Sequence, residues 1–190
     1  MILTPDNEYT AVLDACVPYP MPLCDTLLRL AEDPSFYRPL WSEQILQEVG
    51  NILLEKSYSQ AQKERRLNVM RQCFPEALVE VPEELIAAVG TIPDLNDHHV
   101  LAAAIASKAN AIITQNTKHF LPECLEKYGV LCQNADDFLV HQYYLGPEQF
   151  AEKLDEQAAA VKQERNMLLQ NLAKAAPRFC KLISTGELPP

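Results

Sequence analysis

The stretch PDLNDHHVLAAAIASKANAIITQN, residues 93–116, decides the fold. In its first half Val100, Leu101, Ala104 and Ile105 recur at helical spacing, with Pro93 and Asp94 as opening signals, so a helix is expected to about Lys108. In its second half Ala111 to Thr114 is a short apolar run ending in polar residues, which reads as a buried strand. A helix that feeds directly into an apolar strand is the repeating unit of a parallel sheet.

Working outward, Tyr9 to Leu13 is a second apolar run and reads as a buried strand ending at Asp14. Pro18, Pro20 and Pro22 break the chain before a helix from about Leu23 to Glu32, and Pro34 and Pro39 mark another irregular stretch. Ser42 can cap a helix to about Lys56, and Ser59 one to about Cys73. Ala77 to Val81 is expected as a strand, Pro82 to Val89 as a short helix, Pro122 to Lys127 as a helix and Val130 to Cys132 as a strand. Asn134 then caps a helix to about Tyr144. Strands alternating with helices imply an α/β/α sandwich around a parallel sheet. Beyond Gly146 and Pro147, the residues Phe150, Leu154, Ala158, Val161, Leu168 and Leu172 predict one long amphipathic helix, interrupted by Pro177 and followed by a short helix before Pro189. The chain therefore divides into a sandwich over 1–145 and a helical extension over 146–190.

The bulk numbers bound the function. No run of about 20 apolar residues exists to span a membrane. Met1 to Asp6 carries neither a basic segment nor a long apolar one, so no leader is read. Six cysteines, none in a C-x-x-C pair, fit neither a zinc site nor a disulfide framework; a reducing cytoplasm is expected. The net charge of −10 disfavours non-specific duplex binding, which depends on many Lys and Arg contacts.

Four polar residues stand where a sheet forms its crevice. Asp14 ends the first strand, and it either caps a turn or lines that crevice. Asp97 falls near the centre of the apolar stripe of its helix, in the first turn, where the helix favours negative charge; it can also form a capping box with Asp94. Glu48 flanks the stripe Ile45, Leu46, Val49, Ile52 and Leu53. Asn116 follows the strand 111–114. Together they suggest an acidic cluster, which resists joint ionisation unless a hard cation such as Mg²⁺ or Mn²⁺ joins it. Lys63, Arg65, Arg66 and Arg71 gather on one helix, either as a solvated face or as a track for phosphates. His98 and His99 directly follow Asp97; His99 is read as structural or as a support behind the acids, not as a general base.

The segment from Asp94 to Phe120, together with Ala11 to Val17 and the helix around Glu48, resembles the PIN-domain proteins, in particular the VapC-like ribonuclease toxins of toxin–antitoxin pairs. The resemblance implies a flavodoxin-like sandwich with four or five parallel strands. It implies Asp14, Glu48 and Asp97 as catalytic, metal-holding carboxylates, completed by Asn116, with Mg²⁺ or Mn²⁺ as cofactor. The reaction implied is hydrolysis of RNA phosphodiesters to 5′-phosphate and 3′-hydroxyl ends, and the partner implied is an antitoxin whose tail covers the acidic cleft. The family commonly has an acid at the position of His119; the histidine could bind metal, contact RNA or simply sit beside the strand end, and the last is the favoured reading. Two other readings stand next to this one: a degenerate PIN domain serving as an RNA- or protein-binding module, and a flavodoxin-like phosphotransferase or receiver domain, which would need a Lys at a later strand end. The helices after Gly146 could embrace the partner, form a homodimer contact or pack on their own chain.

Overall fold

Two central strands are buried on both faces, and the rest of the architecture follows from covering them. The computed structural model describes residues 9–89 and 92–188; Met1 to Asp6 and Pro189 lie outside them. In order, the chain forms β1 (Thr10–Leu13), α1 (Met21–Ala31), β2 (Arg38–Ser42), α2 (Glu43–Glu55), α3 (Gln60–Cys73), β3 (Leu78–Val79), α4 (Glu83–Ala88), α5 (His98–Ser107), β4 (Ala111–Ile113), α6 (Pro122–Leu125), β5 (Leu131–Gln133), α7 (Ala135–Leu145), α8 (Pro147–Ala160), α9 (Arg165–Leu172) and α10 (Pro177–Thr185). The five strands pair in parallel in the order β3-β2-β1-β4-β5. Val12 lies opposite Leu40 on one side and Ile112 on the other.

Ala11 to Leu13 of β1 and Ala111 to Ile113 of β4 are fully buried, as expected of a sheet covered on both faces. Helix α5 packs on β1, β2 and β4 and touches α2 and α4 as well. Val100 to Ala104 are accordingly buried all round, beyond the single stripe that the spacing predicts. The three consecutive alanines keep this helix thin enough to be enclosed.

Strand β2 falls in the stretch expected to be irregular. Pro39 argues against an interior strand because it cannot donate to a ladder. The register removes the objection: Arg38 N–H bonds to Tyr9 O on the β1 side, so residue 39 faces the β3 side, where pairing begins only at Trp41 and Ser42. No ladder bond is lost. Trp41 is buried and meets Phe74 edge to face.

The expected long helix after Gly146 is two helices. Helix α8 ends at Ala160, and Lys162 takes φ +52 while Lys162 N–H and Gln163 N–H bond back to Ala159 O and Ala158 O. This is a left-handed helix stop without the glycine that would announce it. The three C-terminal helices pack on α1 and α7 of their own chain. Phe150 sits against Phe36, Tyr143 and Phe179. Gln157 Nε2 donates to Pro22 O at 3.0 Å, beside Thr26. The buried Lys153 donates to Glu32 O and Asp33 O. Among the described residues, no helix is long and apolar enough to cross a membrane.

The start of α10 is capped from another helix. Ala176 offers no side-chain cap, but Asp136 of α7 accepts from Arg178 N–H at 2.9 Å and Phe179 N–H at 2.8 Å. Such charge-assisted bonds in a buried position contribute about 1.5–3 kcal/mol. We therefore expect Asp136→Ala to lower the unfolding free energy by about 2–3 kcal/mol in urea titrations, and Asp136→Asn to lose less because one acceptor remains.

Candidate metal centre at the sheet switch point

The strand order reverses between β1 and β4, so the crevice of this sheet opens at their carboxyl ends. Asp14 N–H bonds to Ile113 O, and Thr114 N–H bonds to Gln133 O, fixing both residues at that edge. The Asp14 carboxylate is 6% exposed, and its Oδ2 accepts from Thr114 Oγ1 at 2.5 Å and from Cys16 Sγ at 3.0 Å. The Thr114 oxygen in turn accepts from Asn116 N–H, and Cys16 Sγ from Gln115 N–H. Burial, and next the charge of Asp14, pushes the Cys16 thiol up to about 12, so it remains a donor.

Asp97 stands at the N-terminus of α5, after a 3-10 turn that Asp94 opens by accepting from Asn96 N–H. The expected capping box is not formed. The Asp97 carboxylate turns instead to His119, whose Nδ1 lies 2.7 Å from Asp97 Oδ2 and 3.6 Å from Asp94 Oδ2. His119 thus does more than sit beside the strand end: its ring approaches two carboxylates. Burial raises the Asp97 carboxyl above its ordinary range; the bond to His119 opposes this, and the charges of Asp14 and Asp94 add to it. Asp14 and Asp97 therefore feel one another across the crevice.

Glu48 reaches the same helix by another route. Its Oε1 lies 2.9 Å from His99 Nε2, while His99 Nδ1 is buried with no partner among the described residues. The bare nitrogen fits Nδ1, so Nε2 carries the proton and donates to Glu48. Asn116 is exposed, beyond Thr114, with its backbone rather than its side chain engaged. Asp14 and Asp97 are thus brought together, and Glu48 is tied to α5 through His99. Asn116 stands at the rim.

Sequence reasoning paired Asp94 with Asp97 only as a helix cap and did not bring His119 to Asp97; the ligand atoms of these three lie within 4.8 Å of one another. It also missed Thr114 and Cys16. Thr114 was open to discovery, since it is the first polar residue after an apolar strand; nothing in the sequence announces Cys16. On α3, Arg66 is engaged with Pro18 O and Tyr19 O, and Arg71 with Glu43, which leaves Lys63 and Arg65 of the four basic residues. Among the described residues no Lys or Arg pairs with Asp14, Glu48, Asp94 or Asp97.

Comparison with known proteins identifies the family of the fold that carries this crevice. Over 65 residues the chain is 42% identical to a Mycobacterium tuberculosis protein named "Putative ribonuclease VapC50"; the match covers 34% of this chain and 37% of that protein, little more than a third of its length. No solved structure matches the chain. A family model described as PIN domain matches residues 10–118, from the first residue of β1 to the turn that carries His119. That match takes in more than half of the chain and both strands that flank the acidic crevice, and the chain belongs to the PIN domain family.

Proposed function

We propose that this protein is a metal-dependent endoribonuclease acting as the toxin of a toxin–antitoxin pair. The observation that carries the reading is Asp14, a buried carboxylate with no Lys or Arg paired to it among the described residues, whose charge is felt by Asp97 at the switch point of a PIN sheet. A buried charge needs a counter-charge, and the described residues supply no Lys or Arg to Asp14. The donor set fits a hard divalent ion, Mg²⁺ or Mn²⁺: Asp14 and Asp97 would hold it, with Glu48 either holding it or orienting the attacking water. When bound, such an ion lowers the pKa of water and offsets charge on the attacked phosphate.

The chain's own residues do the rest. Thr114 and Cys16 hold Asp14 Oδ2, so that Oδ1 is the oxygen left to face the crevice. His99 fixes Glu48, and the exposed Asn116 can donate to a phosphate oxygen at the rim. The products would be a 5′-phosphate and a 3′-hydroxyl. The partial likeness to a relative named as a ribonuclease supports the substrate class. The uncompensated carboxylates and the net charge of −10 favour a basic antitoxin tail as the cover of the crevice. We take residues 1–145 as the nuclease domain and 146–190 as an extension braced against it.

A second reading rests on His119. Its ring already occupies Asp97 Oδ2, as a resident group would in a degenerate domain that binds RNA or protein without cutting.

Three outcomes test these readings. Purified protein with Mg²⁺ or Mn²⁺ should make discrete cuts in total cellular RNA that disappear with EDTA, and Asp97→Asn should lower the rate by on the order of 10²-fold or more; RNA left intact with every metal would favour the degenerate domain. Thr114→Val, which frees Asp14 while keeping the strand, should reduce cleavage by roughly 10- to 100-fold; unchanged turnover would remove Thr114 from the site. A lysine- and arginine-rich peptide should inhibit cleavage more strongly than an acidic peptide of equal length, and equal inhibition would count against a basic cover.

A further inference from the structure

We propose that His119 is a metal ligand and that, together with Asp97 and Asp94, it makes this site prefer Mn²⁺ to Mg²⁺. The inference rests on the metal-dependent reading above and adds to it which ion is used and by which donors.

Geometry supports it first. His119 Nδ1 is 2.7 Å from Asp97 Oδ2 and 3.6 Å from Asp94 Oδ2, and all three atoms lie within 4.8 Å of one another. Neighbouring donors around an octahedral ion with bonds of 2.0–2.1 Å stand roughly 3 Å apart. The three atoms are therefore close enough to converge on a single ion. The bond from Asn96 N–H to Asp94 Oδ1 leaves Oδ2 as the atom turned to His119.

A separate observation calls for a cation. Asp14, on a different strand, is more than nine-tenths buried, and its Oδ1 has no hydrogen-bond partner among the described residues. His119 contacts Asp97 and Asp94 but not Asp14, so the ring alone cannot balance the crevice. A cation held by Asp97, Asp94 and His119 would add positive charge to the crevice that Asp14 lines.

Donor chemistry then sets the preference. Mg²⁺ demands oxygen and holds its waters tightly, whereas an imidazole nitrogen favours first-row transition ions. A carboxylate at position 119 would give an all-oxygen set equally open to Mg²⁺. The histidine tilts the set toward Mn²⁺.

The test uses the full chain with Mn²⁺ and Mg²⁺ as probes. Pulsed electron paramagnetic resonance of bound Mn²⁺ should show ¹⁴N coupling in the unmodified protein and lose it in His119→Ala. Calorimetric titration should give a Mn²⁺ to Mg²⁺ affinity ratio that falls at least about tenfold in His119→Asp, the scale on which groups around a metal act. Bound Mn²⁺ without nitrogen coupling in the unmodified protein would overturn the proposal, and that measurement depends on no variant. So would an unchanged ratio in a folded His119→Asp protein. Nitrogen-coordinated Mn²⁺ in a protein that leaves RNA intact would uphold the site and defeat the nuclease reading. RNA cleavage with Mn²⁺ bound only through oxygen would do the reverse, and no metal binding at all would defeat both.

Discussion

A carboxylate held out of water at the junction of two fully buried strands is the constraint around which this molecule is arranged. Asp14 can stand there because Thr114, one strand over, presents a hydroxyl 2.5 Å from it. The parallel register that sets Leu13 opposite Ile113 brings the two residues level. Hydrogen bonds alone do not balance the charge, and the surroundings sharpen the problem. Asp97 and Asp94 add negative charge, and the nearest basic helix spends Arg66 and Arg71 on internal contacts. Keeping Asp97 in place requires α5 to be enclosed on every side, which explains its run of alanines better than helix propensity does.

The C-terminal helices serve the same edge at one remove. Chain leaving Asp14 passes through a proline-rich loop into α1, and it is α1 that α8 and α9 clamp. Gln157 bonds to Pro22 O, inside the first turn of α1, and Lys153 holds the carbonyls just beyond its end. Asp136 then secures α10 from α7. The extension thus stiffens the element that follows the buried carboxylate.

What could be read from the sequence, and what could not, divides along physical lines. Strand β4, helix α5 and the positions of Asp14 and Asp97 follow local periodicity, which a sequence displays directly. Strand β2 was hidden because Pro39 is a strand breaker unless its missing N–H faces an unpaired side, and register alone reveals that. The stop after α8 was hidden because Lys162 occupies a conformation usually left to glycine. The partners of the acids were hidden for a different reason. Asp14 with Thr114 spans 100 residues, Cys16 with Thr114 spans 98, and Asp97 with His119 spans 22, so only the folded sheet makes them neighbours.

The acidity of the chain, which at first argues against a nucleic-acid substrate, fits the proposed reading once the site is considered. Ordinary backbone recognition places many Lys and Arg against phosphates. Here Lys63 and Arg65 are what α3 has left, while the crevice concentrates carboxylates that no Lys or Arg among the described residues pairs. Two anionic surfaces approach closely only if counter-charge lies between them, and a divalent ion in the crevice would attract the phosphate as it relieves Asp14. On this account binding and chemistry depend on the same ion. Affinity for RNA would then be concentrated at the scissile bond, and the outer surface would contribute little to holding the strand.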